Sequence, residues 1–213
     1  EPGRMSAAVD GADRGRWIWL VYALVVLYAF CFQLQAPLEP FLVDKLVGKG
    51  EESTLAYGRL QTFFQVVQTI GSLIFGNFLD RFGMRVGLVV NFCACALTYL
   101  LLANTSSLAI LFLSKVPSVL MAGFLCAQTA VSQLTADGDE RLVTMGRLTT
   151  SYTVGGVFGP YVGGRLGAGG DYFLSAKIAV LGSLLAAGLS ALMPAPPGRT
   201  AAKEAAAPGA PAA

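Results

Sequence analysis

The chain is 213 residues long, 54% hydrophobic and 13% charged, and its apolar residues gather into runs long enough to cross a hydrocarbon core of about 30 Å, which excludes an ordinary soluble domain. A net charge of +2, with the basic residues at segment edges, excludes a nucleic-acid partner. There is no His, and Cys31, Cys93, Cys95 and Cys126 all lie inside apolar segments, so zinc-ligand spacings and a secreted disulfide framework are excluded as well. The cysteines read as small packing residues, and neither a metal nor a cofactor is expected.

In chain order, residues 1–16 read as a cytoplasmic segment. The first apolar run is of spanning length and carries no small-residue cleavage pattern, so it reads as a membrane span that directs its own insertion, not as a signal peptide. Six spans are predicted, at about 17 to 39, 54 to 79, 87 to 104, 107 to 134, 146 to 166 and 172 to 193. They give an all-α six-helix bundle over 17–194, followed by an Ala/Pro-rich tail at 195–213 expected to be disordered. Arg4, Arg14, Arg16, Arg81, Arg85, Arg141, Arg147, Arg199 and Lys203 collect on one side, against Lys45, Lys49, Arg59 and Arg165 on the other. Nine against four places both termini in the cytoplasm.

Between the second and third spans runs Gly76-Asn-Phe-Leu-Asp80-Arg81-Phe-Gly83-Met84-Arg85. Gly83 permits a tight reversal, Asp80 is able to accept hydrogen bonds or cap a neighbouring helix, and Arg81 and Arg85 suit carboxylates or lipid phosphates. An ordinary positive-inside loop would look similar. The fifth span carries Gly146, Gly155, Gly159, Pro160, Gly163 and Gly164. Gly155, Gly159 and Gly163 recur at four-residue spacing, a stripe where a neighbouring backbone can approach closely, and Pro160 bends the helix. Small-residue packing explains that stripe without any transport, but it does not explain Gly146 on the opposite face.

The first pattern resembles the major facilitator loop motif G-x-x-x-D-R-x-G-R-R/K, with Met84 replacing a base. The second resembles the antiporter motif of the drug:proton antiporters within that superfamily. The resemblance implies the amino-terminal half of a fold built from two three-helix repeats, with a second six-helix half as partner. It also implies that Asp80 latches the outward-facing state and that the fifth-span motif seals the pathway. Ala56-Tyr-Gly-Arg-Leu-Gln-Thr-Phe-Phe is similar to solute carriers described as organic-cation transporters working by proton exchange, which implies that activity and, as the expected location, the plasma membrane, with an intracellular membrane as the alternative.

Four residues of the second span, Gln61, Gln65, Gln68 and Ser72, fall within about 40° on a helical wheel, a polar stripe expected to face substrate or to bond neighbouring helices. In the fourth span Lys115, Ser118, Ala122, Cys126, Thr129 and Gln133 form a second wall whose only charge is Lys115, standing where the related motif has Arg. Lys115 is too deep to reach water, whereas Lys177 snorkels. Gln33, Gln35 and Glu39 lie where Pro37 and Pro40 interrupt the first span, an entrance to the pathway or a solvated helix end.

Two tensions remain at this level. Proton exchange needs a titrating group in the pathway, and Glu39 is the only marginal candidate; a charged Lys115 would also repel a cation, so charge alone favours an anion or zwitterion. A truncated half that pairs with and regulates a full-length transporter is the alternative from another class. No nucleophile with an adjacent base and no phosphate-binding loop points to an enzyme.

Overall fold

In the computed structural model, residues 11–135 and 138–193 are described, with the side chains of 11–13 excepted. The predicted amino-terminal segment up to residue 10 and the predicted tail at 195–213 lie outside the described residues. The elements are α1 (Gly11–Gln33), α2 (Glu39–Val47), α3 (Glu51–Ala103), α4 (Leu108–Lys115), a 3-10 segment (Val116–Leu120), α5 (Gly123–Leu134), α6 (Asp139–Ala168) and α7 (Leu174–Ala191).

Helix α3 has 53 residues, which at 1.5 Å per residue would measure about 80 Å and overshoot any bilayer. Gly83, at φ 82° and ψ 172°, breaks it into two passes. The reversal is sharp: a Cβ added at Gly87 would strike the end of the Leu79 side chain, although eight residues of straight helix would separate the two by about 12 Å. The charged turn expected there is thus a single left-handed glycine between two helical arms.

With α3 counted twice, the six expected passes are present. Among the described residues, four segments are long and apolar enough to cross a membrane by themselves: 14–33, 51–103, 108–134 and 174–191. The remaining pass, α6, spans 30 residues but is rich in glycine and threonine, which makes it less apolar and better suited to helix-helix contact than to lipid.

Paired contacts give the direction of each pass. Gly155, Gly159 and Gly163 of α6 lie successively against Val26, Phe30–Gln33 and Leu34, so α1 and α6 run parallel. Phe63 packs on Phe112 with ring centroids 5.5 Å apart, and Gly71 meets the Val119 backbone, so the first arm of α3 runs parallel to the fourth pass. Ser175 of α7 reaches Gln35 while Gly182 meets Cys31, so α7 runs antiparallel to α1. Odd passes therefore point one way and even passes the other.

The core is apolar and tightly knit around Leu24, Tyr28, Phe75, Met84, Leu88, Phe92, Cys95, Cys126 and Leu134, yet Leu73, Leu142, Leu181, Leu185 and Val157 are exposed. An exterior of that kind suits lipid or another helical body, not water. Cys31, Cys95 and Cys126 are buried as expected of packing residues, whereas Cys93 is exposed on the outer face of its helix.

Two helices depart from the expected regularity. The first pass stops at Gln33, and a turn through Pro37 leads to α2, whose second residue is Pro40; the lost backbone donors of the two prolines prevent one continuous helix. The fourth pass breaks into a 3-10 segment at Pro117. Five residues at about 120° instead of about 100° each turn the following helix by roughly 100°. The expected continuous wall of the fourth span is therefore corrected: Lys115 and Ser118 are buried at the break, but Cys126 has rotated into the core against Gly87.

Candidate functional site

Two breaks in regular structure converge on one space. The turn between α1 and α2, the first arm of α3 and the broken fourth pass enclose a cavity of about 220 Å³ that Gln33, Gln35, Glu39, Gln61, Gln65 and Lys115 help to line. Its remaining wall is largely aromatic, with Phe32, Tyr57, Phe64 and Tyr99; Phe32 and Phe64 stack at 6.0 Å between centroids.

At the centre is an ion pair. The ammonium of Lys115 donates to Glu39 Oε1, and Gln61 Nε2 donates to Glu39 Oε2 at 2.9 Å. The side chains of Lys115 and Glu39 are only 7% and 10% exposed, and Lys115 Nζ also stands 5.1 Å from the centre of the Phe64 ring. Burying either charge alone would be costly; paired, hydrogen-bonded and faced by a π-cloud, both persist. Glu39 is thus not a solvated helix end.

Local structure explains the placement. Glu39 opens α2 with Leu38 as its cap residue and no side-chain cap, so its carboxylate is free to turn inward, and a negative charge is favoured at a helix start. Lys115 closes α4, and a cation is favoured at a helix end. The two helix-terminal breaks therefore put opposite charges at facing ends, 76 residues apart in sequence.

The expected polar stripe of the second span divides. Gln61 and Gln65 line the cavity, whereas Gln68 and Ser72 do not; Ser72 turns its hydroxyl back to the Thr69 carbonyl at 2.8 Å. Gln33 lines the cavity while its Cβ lies against Gly159. Lys177 is exposed on α7. Sequence reasoning missed Tyr57 and Tyr99, because an aromatic residue in an apolar span gives no sign of whether it faces lipid, core or cavity.

Neither motif lines the cavity. Asp80, Arg81 and Arg85 flank the Gly83 reversal, with Asp80 and Arg81 exposed, while Gly76 sits on the preceding turn with open space where a Cβ would be. In α6, Gly155, Gly159 and Gly163 form the seam against α1, whereas Gly146 and Gly164 have nothing within 4 Å of a built Cβ. Pro160 is accommodated inside an unbroken α6. Near the start of that helix Arg14 pairs with Glu140 at 3.4 Å, and Arg141 donates to the carbonyl of Ser132 at 2.8 Å, covering the open end of α5.

Residues 13–213 match the family described as Major Facilitator Superfamily. The human solute carrier family 67 member A1 is 38% identical over 194 residues, covering 89% of this chain and 44% of that protein. The mouse solute carrier family 22 member 18 is 36% identical over 178 residues, covering 81% and 43%. The chain therefore spans less than half the length of either relative. Among solved structures, a peptide transporter in complex with sulfate superposes with a TM-score of 0.72 at 18% identity, over 89% of this chain and 40% of that one, a likeness of fold alone.

Proposed function

Because the chain belongs to the Major Facilitator Superfamily over residues 13–213, we propose that it forms one six-helix half of a secondary transporter that exchanges protons for small organic cations. The observation that carries this reading is the buried Glu39–Lys115 pair beside a polar and aromatic cavity. It eases both tensions of the sequence. A carboxylate is available in the pathway, and the charge of Lys115 is balanced from within the same half.

The exchange follows from charge. With Glu39 ionised, the pair is neutral overall, and an organic cation can settle against the carboxylate and the aromatic wall. With a proton on Glu39, Lys115 leaves the cavity with a net positive charge that repels the cation. Proton and cation thus exclude each other at one carboxylate, which is the requirement for antiport. Gln61 keeps Glu39 oriented in either state, because its amide can donate to an ionised oxygen or accept from a protonated one.

Alternating access requires a second six-helix half packed on this one. The Arg-rich ends at Arg14, Arg81, Arg85 and Arg147 are assigned to the cytoplasm, with the plasma membrane as the location. We assign Asp80, exposed beside the reversal, the role of a switch that meets a helix of the partner half. Asp80→Asn is expected to slow exchange between inward- and outward-facing states, read as a several-fold drop in turnover with substrate affinity kept. Equal loss of affinity and of surface insertion would assign Asp80 to folding.

The test of the whole reading is flux of a labelled organic cation into proteoliposomes under an imposed pH gradient, using this chain and a version extended through a second six-helix half. Gradient-driven flux in the extended protein alone is expected. Flux of organic anions in place of cations would overturn the charge argument, and flux of neither in the extended protein would favour a regulatory half.

A further inference from the structure

A second cleft opens between the first turns of α1 and α6, and it shares no lining residue with the cavity of the ion pair. Its volume is about 410 Å³. Two parallel helices supply its walls at helical spacing, with Gly15, Trp19 and Tyr22 from α1 and Asp139, Val143 and Arg147 from α6. The Tyr22 hydroxyl donates to the Thr144 carbonyl at 3.2 Å and ties the walls together. Trp19 and Val143 nevertheless remain 70% and 53% exposed, so the cleft has an open apolar flank. Helix α1 is apolar enough to span a membrane from residue 14 onward, which sets the cleft where headgroups meet acyl chains, and Trp is enriched at that level.

The charges of the cleft are ordered by depth. Asp139 and Glu140 open α6, and both are exposed, as is Arg147. Arg147 stands eight residues further into the helix than Asp139, about 12 Å along the axis. Helical side chains lean back toward the start of their helix, which shortens that gap. Glu140 pairs with Arg14 at 3.4 Å, so with Arg14 the cleft balances two carboxylates against two guanidiniums. A cation lies deep, acids lie outermost, and the sum is neutral.

We infer that this cleft binds the headgroup of a zwitterionic phospholipid, and that its ligand is phosphatidylethanolamine. In that lipid the phosphate sits next to the acyl chains and the ammonium lies beyond it, the same order that Arg147 and Asp139 follow from the membrane outward. Arg147 donates to the phosphate oxygens, and the ammonium donates to Asp139. The glycerol end and the first acyl carbons lie along Trp19 and Val143. An anionic headgroup brings the outer carboxylates no partner, and a choline headgroup has no N–H to donate to them. A lipid held here braces the starts of α1 and α6, whose further course forms the glycine seam at Gly155, Gly159 and Gly163.

The test is retention of palmitoyl-oleoyl phosphatidylethanolamine by the protein in detergent, read by native mass spectrometry beside the phosphatidylcholine and phosphatidylglycerol of the same chains. Phosphatidylethanolamine is expected to occupy the protein about three- to tenfold more than either, the effect of one charge-assisted hydrogen bond at a partly screened site. A Cβ built at Gly15 has nothing within 4 Å, so Gly15→Leu should fill the cleft and erase the preference while the unfolding temperature in lipid-free detergent is kept. Asp139→Asn should lower phosphatidylethanolamine to the level of phosphatidylcholine. Equal occupancy by the three lipids, a preference for phosphatidylglycerol, or an ethanolamine preference that survives both variants would overturn the site.

Discussion

Glu39→Gln is expected to bring gradient-driven cation flux to background and, at the same time, to destabilise the bundle by about 3–5 kcal/mol, because it strands a buried Lys115 without its counter-charge. The magnitude follows from burial: neither side chain is more than a tenth exposed, so water cannot take over the lost partner. The double variant Glu39→Gln with Lys115→Met should recover the stability, since a neutral pair of similar volume removes the stranded charge, but should not recover flux. Thermal unfolding in detergent measures the first effect and proteoliposome flux the second. A single variant as stable as the parent would mean that the pair opens to water; restored coupling in the double variant would take the proton away from Glu39.

The sequence made the six passes and their order legible because their signals are local: apolar run length, a glycine between charged flanks, and four-residue glycine spacing on α6. Family membership was legible for the same reason, being carried by short ordered motifs around Asp80 and Gly155. The site was legible only in pieces. Lys115 and Glu39 each stood out as ionisable residues in or near apolar runs, but nothing local tells that residues 76 positions apart in sequence share a bond. A wheel drawn through the fourth span assumed one helix, and the 3-10 segment at Pro117 invalidates it beyond Ser118. The same reasoning explains why Gln61 and Gln65 share the cavity while Gln68 and Ser72 do not: a stripe on one helix is longer than the space the neighbouring breaks leave open.

Gly159→Leu is expected to force apart the seam between α6 and α1. A Cβ at that position would stand 2.8 Å from the Gln33 Cβ and 2.9 Å from the Phe30 carbonyl oxygen, and backbone cannot yield as a flexible side-chain end does. The two helices would have to separate, losing the neighbouring contacts of Gly155 with Val26 and Gly163 with Leu34; overpacking of this kind costs about 1–3 kcal/mol or more. The same displacement would move Gln33 and the turn that positions Glu39, so flux should fall further than stability alone accounts for. Gly164→Ala and Gly146→Ala provide the contrast, since open space surrounds both positions and alanine favours helix by roughly 0.5–1 kcal/mol. Unfolding temperature and flux, measured together, separate packing from transport. Gly159→Leu with parental stability and flux would end the argument that this seam positions the site. Gly146→Ala with parental stability but reduced flux would place Gly146 on a surface that moves against the second half, which is the role that helix packing leaves unexplained.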